Sequence, residues 1–533
     1  MKKISELKFL FPDAENYRRR EFKQEFNKSF LTDNYLSEIL LPEVSFLMGE
    51  KGTGKTAYAI YIANNKYCGY DAELKFIRET EYQKFITLKK DNKLDLSDYT
   101  NIWRVLLLLM MSKQIAVNEP TLIPRFIKFR NINSAIDKYY KDAFKPEIIH
   151  AMEFVQEAKV AAELLSTLAK ASGEAKEIHT FNESRFQTSL LFIQREFEKA
   201  LDEIKLSSNH VIFIDGIDIR PHGIDYEDYL ECVKGLANAV WQMNNDFFPN
   251  IKDSKGRMKI VLLIRPDIFS SIGMQNTNTK LRTNTVMLDW RTTYENFKTS
   301  KLFGIACKAL HAQQRKEAAE DLQDEDVWSH YFPYVIRSNI QNENDNAFIG
   351  FLRNSFYRPR DIIMMLSILK EVCDEKGIAE KSYFELSDFE SNDFKRKLAD
   401  YFLSEIKDQI SFYYSDRDYN LFIDFFNYLN GNTRFDFEEY ELSFGKFIEN
   451  VHKQGQSIPK FMDSKYAFLQ FLYELNIINF VEDMEDGGTH IHWCFRERKF
   501  SNISPQVKFD MRYEIFYGLT RAVNTGKKIK KTR

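Results

Sequence analysis

At 533 residues the chain is too long for one hydrophobic core, so two to four domains are expected. Hydrophobic residues make up 44% and charged residues 29%, with 46 Phe and 27 Tyr, which excludes a disordered chain and supplies ample apolar surface for burial. The net charge of −3 gives no global pull toward nucleic acid, so any basic surface is local.

The first forty residues are charged and aromatic and read as a helical lead-in (1–40). Met1-Lys2-Lys3 runs into mixed polar residues without the apolar stretch of a secretion signal. The segment Glu43–Met48 reads as a short buried strand. It leads into Gly49-Glu50-Lys51-Gly52-Thr53-Gly54-Lys55-Thr56 and then into a helical pattern from Ala57 to Ala63. This is GxxxxGK[ST] in the strand–loop–helix setting that a P-loop requires. Glycines let successive N–H groups turn inward toward phosphate oxygens, and the helix start adds its own free N–H groups and positive dipole end. The spacing assigns Gly49 through Ala57 to nucleotide binding, Lys55 to the β- and γ-phosphates, and the Thr56 hydroxyl to Mg²⁺. ATP and Mg²⁺ are the expected cofactors. By chance the four fixed positions occur in roughly a few per cent of chains this long.

Leu74–Ile77 is a plausible second strand, and Asn101–Ala116 is helical and apolar. Its run Val105–Met111 is far shorter than a bilayer span requires, so no membrane segment is expected. Sequence from about 117 to 200 carries no strand signal and reads as an all-helical insertion, either a packing bundle or a surface that senses a partner. His210–Ile214 is then a β-branched apolar strand ending in Asp215, with Asp218 three residues on. An acid at the C-terminal end of a parallel strand lies where open α/β sheets bind ligands. Asp215 is the expected magnesium acid. Asp218 is placed to polarise an attacking water, the alternative being a solvated turn acid. A third apolar strand, Lys259–Ile264, ends in Arg265, whose guanidinium could read a γ-phosphate or simply occupy the turn.

After Trp290 the pattern is helical to about residue 400 and reads as a lid over 301–400, following a core of 41–300. Within it, Pro359 presets a helix start and Asp361 suits the dipole there. Arg358 and Arg360 flank that start, either facing the nucleotide or solvated. The last stretch, 401–533, is read as a winged-helix-like domain. Lys465–Leu475 is an amphipathic helix, Ile477–Val481 a strand, Asp483–Gly488 a polar turn and His490–Phe495 a returning strand. His490, His492 and Cys494 alternate onto one face of that strand, which suits a metal-ligand set or plain cross-strand packing. No further ligand stands out nearby, which favours packing. The tail from Lys527 to Arg533 has five basic residues in seven and is a candidate nucleic-acid contact or a solvated end. Five scattered cysteines without a CxxC pair argue against a disulfide framework and for a reduced cytoplasm.

With these segments in place, the chain resembles the STAND/AAA-like group of P-loop ATPases, and more closely the bacterial FunZ-like P-loop ATPases. GEKGTGKT, IFIDGIDIRP, LLIRPDIF, YRPRDI and the YELNIINFVE…HWCFRER segment occur in that family's order, over roughly residues 20–520. The resemblance implies an α/β P-loop core with a parallel sheet, a helical lid, a C-terminal winged-helix domain and ATP-dependent self-association. It implies Asp215 as the magnesium acid, Asp218 as its acidic partner, Arg265 as a sensor arginine and Arg360 as the lid arginine. Gly216 and Ile217 separate the two acids, unlike most AAA+ enzymes, which places the chain nearer the STAND proteins and implies slow turnover. Members occur in bacterial mobile elements and anti-phage settings. The expected function is a regulatory switch ATPase that controls assembly or a partner protein; with no nuclease, protease or transmembrane effector motif visible, any toxic output is expected to come from that partner. The alternative is a DNA-binding initiator-type ATPase, against which the acidic turn Glu482–Asp486 weighs.

Overall fold

The computed structural model describes residues 1–9, 13–77, 98–118, 194–195, 198, 201–202, 204–218, 220, 224–252, 254–274, 277–314, 322–337, 344–485 and 487–526. The helical insertion expected over about 117–200, apart from its margins, and the basic tail from 527 lie outside the described residues. The chain divides into two compact units. One comprises Asp33–Glu50 and Lys55–Leu288, and the other Met1–Thr32, Lys51–Gly54 and Asp289–Arg533.

The first unit is α/β. Its five strands are β1 (Phe46–Met48), β2 (Tyr70–Phe76), β3 (Asn209–Asp215), β4 (Met258–Ile264) and β5 (Thr285–Met287). They form one sheet in the order β2-β3-β4-β1-β5, parallel throughout. β4 is buried along its whole length and β3 at every position after Asn209, as continuous β-branched runs demand when both faces of a parallel sheet are covered. The strands expected at 43–48, 74–77, 210–214 and 259–264 are all present. β5, a three-residue edge strand, has no signal in the sequence.

Helix α1 (Lys55–Asn65) follows β1 directly. Helices α2 (Asp98–Asn118) and α3 (Tyr226–Gln242) pack on each other, with the Trp103 indole N–H donating to the Cys232 carbonyl at 3.1 Å. Polar groups that the sheet buries are satisfied from its helices. The Gln114 amide donates to the carbonyls of Asp71 (2.5 Å) and Val211 (3.2 Å), tying α2 to β2 and β3. Buried Asn244 donates to the Ile260 carbonyl at 2.6 Å and accepts from its N–H at 3.0 Å. Unmade, such bonds would each cost about 1–3 kcal/mol.

The second unit is mostly helical and built on aromatic packing. Trp328 stacks on Phe332 with centroids 4.2 Å apart and meets Phe303, Phe348 and Phe351 edge-on. Its helices include α4 (Lys301–His311), α5 (Pro359–Glu375) and α6 (Asn392–Tyr413). The stretch expected to be helical from 290 to 400 also holds a two-stranded antiparallel pair, β6 (Val335–Arg337) and β7 (Asn344–Asn346).

Beyond α6 the order is α7 (Asp416–Phe425), β8 (Arg434–Asp436), α8 (Phe437–Lys453), α9 (Lys465–Glu474), β9 (Ile478–Asp483), β10 (Thr489–His492) and β11 (Arg512–Ile515). The four strands form an antiparallel sheet in the order β10-β9-β11-β8. The returning strand expected over 490–495 stops at His492. Trp493 then caps a short helix, Cys494–Glu497, because the Asn476 side chain takes the Phe495 N–H at 2.8 Å and bends the chain inward. Cys494 is therefore buried inside and does not continue the alternation of His490 and His492.

Candidate functional site

The glycine-rich loop leaves the sheet at the C-terminal end of β1 and closes at Lys55, the first residue of α1. Lys55 is 9% exposed, and its ammonium folds back to donate to the carbonyls of Gly49 (2.8 Å) and Glu50 (3.1 Å). One residue on, the Thr56 hydroxyl donates to Asp215 Oδ2 at 2.6 Å across 159 positions of sequence. The fold thus brings the two residues that the sequence assigned to a metal, the loop threonine and the strand-end acid, into contact.

Asp215 is the last residue of β3 and 8% exposed. Its Oδ1 accepts the Gly216 N–H at 2.8 Å. Gly216 has φ +91°, and a Cβ there would stand 2.5 Å from the Ile77 carbonyl oxygen. Only glycine lets the chain turn so tightly while Ile77 N–H holds the Asp215 carbonyl at 2.9 Å. Burial pushes the Asp215 carboxyl up to about 6, and the negative charge of Asp218 adds to this; the Thr56 bond, the Lys55 charge and the Gly216 N–H pull the other way. Asp218 is half-buried in the following turn, which the Tyr229 hydroxyl anchors by donating to the Ile217 carbonyl at 2.6 Å.

A hydroxyl and a carboxylate, both hard oxygen donors, therefore meet where a buried negative charge is short of compensation. That donor chemistry fits Mg²⁺, which binds through few carboxylates and completes its shell with water and phosphate oxygens. The loop fits a phosphate as well, since Lys55 and the start of an eleven-residue helix bring a cation and the positive end of a helix dipole together.

Arg265 follows β4, the strand that separates β1 from β3, so it leaves the sheet between the loop strand and the acid strand. Its guanidinium is buried and paired with Asp267: Nε donates to Oδ1 at 3.0 Å, and NH2 makes a second contact with Oδ2. In this conformation a near neighbour in sequence holds the sensor candidate.

In the second unit the loop residues Lys51–Gly54 meet the Tyr357–Asp361 segment. Arg360 donates its backbone N–H to the Gly52 carbonyl at 3.3 Å, and Arg358 donates from its guanidinium to the Lys51 carbonyl at 3.1 Å. Gly52 has φ +86°, and a Cβ there would press on the Arg360 Cβ at 3.1 Å. The Trp290 indole donates to the Thr53 carbonyl at 3.0 Å. Sequence reasoning singled out Arg358 and Arg360, and Asp361 as an acid for the helix dipole, but missed Glu405 and Asp408. Glu405, on α6, lies 3.4 Å from both Lys51 and Arg360, and Asp408 pairs with Lys51 at 2.6 Å. Burial works to raise the Glu405 carboxyl, but Arg358, Lys51 and Arg360 override it and hold it below the ordinary range. Asp361, fully buried, accepts from Arg358 (2.7–3.1 Å), from the Tyr401 hydroxyl (2.8 Å) and from the Phe356 N–H (2.9 Å). The left-handed Tyr357 (φ +53°) precedes this knot, with Arg496 over its ring at 4.9 Å.

A scan against protein-family models finds no match to this chain, and a search of the curated proteins finds none either. Among the described residues no helix is long and apolar enough to cross a membrane.

Proposed function

We propose that the chain binds ATP with Mg²⁺ at the loop between β1 and α1 and hydrolyses it slowly, as a switch ATPase of the STAND/AAA-like, FunZ-like type. The observation that carries this reading is the 2.6 Å bond from Thr56 to Asp215 beside the folded-back Lys55. Three residue types that a P-loop needs are assembled there from segments far apart in sequence.

ATP bound there would supply the phosphoanhydride whose cleavage resets the switch. In that setting Gly49 through Ala57 line the phosphates, Lys55 exchanges the Gly49 and Glu50 carbonyls for phosphate oxygens, and Thr56 and Asp215 hold the metal. Asp218 orients a water and accepts its proton. Arg265 and Arg360 are the candidates that distinguish ATP from ADP. Each is engaged by a carboxylate, Asp267 or Glu405, with which a γ-phosphate would compete. Nucleotide-controlled assembly into a homo-oligomer, or control of a protein partner in the cytoplasm, is the output we infer, with anti-phage defence as its setting. The order α7, β8, α8, α9, β9, β10, β11 supports a winged-helix reading of the C-terminal region. An initiator-type DNA-binding ATPase shares that order, but Asp483 and Glu485 make the β9–β10 turn acidic, which opposes contact with phosphates.

Lys55→Ala is expected to abolish binding of a non-hydrolysable ATP analogue with Mg²⁺ in calorimetry while leaving the circular dichroism unchanged. Unchanged affinity would remove the nucleotide reading. Asp218→Asn should bind ATP normally and lose on the order of 10²-fold or more in phosphate release; a wild-type rate would pass the base role to another residue.

A further inference from the structure

The β9–β10 hairpin carries a cluster that the nucleotide reading does not use. His490 and His492 sit two apart on β10 and so face the same side of the hairpin, with His490 paired in register opposite Glu482 of β9. The short helix Cys494–Glu497 then returns the Glu497 carboxylate to that side. One ligand atom each from His490, His492 and Glu497 lies within 4.8 Å of the other two. His492 Nδ1 is 3.1 Å from Glu497 Oε1, and the two imidazole centroids are 4.4 Å apart. Cys494, the third member that the alternation suggests, is excluded: it is buried and its sulfur faces the Arg498 guanidinium at 3.4 Å.

We propose that His490, His492 and Glu497 form a zinc site that fastens the hairpin to the helix behind it. Two imidazoles and a carboxylate are the borderline donors that Zn²⁺ prefers, and three protein ligands leave a fourth position for water. A tetrahedral zinc with ligands at about 2.0–2.2 Å needs its donors on the order of 3.3 Å apart. The His492–Glu497 pair is at that spacing already, and the exposed His490 has a ring nitrogen within 4.8 Å of both their ligand atoms. The surroundings supply the outer support such sites use. With Nδ1 toward the metal, His492 Nε2–H donates to Glu482 at 2.9 Å, fixing the tautomer and the ring, and Lys508 braces Glu482 at 2.7 Å. Phe480 stacks on the His492 ring at 4.4 Å and holds its plane. Mg²⁺, which prefers oxygen donors, would not compete at this site.

The test is titration of the tag-free full chain with Zn²⁺ alone, followed by calorimetry, and with Co²⁺, followed by visible absorption. One Zn²⁺ per chain and an intense tetrahedral Co²⁺ band are expected. His492→Ala and His490→Ala should each weaken zinc binding at least 100-fold, and Glu497→Gln, which keeps the shape of the side chain, at least tenfold. Glu482→Gln should weaken it about tenfold through loss of the outer support. Lys55→Ala should bind zinc as the wild type does, which separates this site from the nucleotide reading. Absence of saturable zinc binding by the wild type would overturn the proposal. So would binding that survives His490→Ala and Glu497→Gln in folded protein. His492 would then be an imidazole held between two carboxylates and nothing more.

Discussion

The Arg358 knot of the helical unit and the strand ends of the sheet unit bury charge in opposite ways. In the helical unit Arg358 and Asp361 are 2% and 0% exposed and face each other, with Tyr401 and the Phe356 N–H taking up the remaining capacity of the carboxylate. In the sheet unit, among the described residues, Asp215 meets a neutral hydroxyl and a backbone N–H at hydrogen-bonding distance, and Lys259, in β4, is held by the carbonyls of Ile39 (2.6 Å) and Leu41. The environment follows the company. Burial opposes the charge on Arg358, but Asp361 overrides it and drives the guanidinium further up, whereas burial pushes Asp215 up to about 6 and Lys259 down to about 7. A paired buried charge is finished as structure. An underpaired one at the mouth of a sheet carries a standing cost that a bound cation would relieve.

The largest effect is expected where pairing is complete. Arg358→Ala should cost about 3–5 kcal/mol of stability in denaturant unfolding, because it leaves the Asp361 carboxylate buried without its cation. A loss below about 1 kcal/mol would show that water reaches Asp361 and that the knot is not a closed one.

Lys259 sharpens the comparison through pH. Its folded value of about 7 lies below its ordinary value of 10.5, so between those limits the unfolded chain binds a proton that the folded chain does not. Stability contributed by this site therefore rises with pH across that window, by at most ~1.4 kcal/mol per pH unit. Lys259→Met should flatten the stability profile from pH 7 to pH 10 relative to the wild type. Parallel profiles would mean that the Ile39 and Leu41 carbonyls keep the ammonium charged.

What the sequence made legible follows the same division. Strands β3 and β4, the loop and Asp215 were readable because each is a local pattern: continuous apolar runs, fixed glycine spacing, an acid at a strand end. The 2.6 Å Thr56–Asp215 contact was then a consequence of the fold class. Glu405 and Asp408 gave no signal, since they are two acids on an ordinary helix and the Lys51–Asp408 partners stand 357 positions apart. Arg358 was visible but its role was not, because a helix start with flanking arginines reads the same whether solvated or buried. The end of β10 was misplaced because His-x-His-x-Cys alternates like a strand, and only the tertiary bond from Phe495 to Asn476 turns it.

The smallest effect carries the sharpest sign. Asp215→Asn keeps Oδ1 as the acceptor for the Gly216 N–H and turns an Nδ2–H donor toward the Thr56 hydroxyl, which rotates to accept it, while removing a carboxylate that burial and Asp218 both disfavour. In magnesium-free buffer at pH 7 the substitution should therefore cost no stability, and should raise it by on the order of 1 kcal/mol. Asp361→Asn, the same exchange made beside Arg358, should lower stability, since there the charge is the partner of a buried cation. With Mg²⁺ and ATP present the wild type should gain thermal stability with the logarithm of ligand concentration above Kd, and Asp215→Asn should gain far less, so the order of the two melting temperatures reverses between conditions. Equal destabilisation by Asp215→Asn and Asp361→Asn in the absence of ligand would break the comparison and make Asp215 a structural acid like the other.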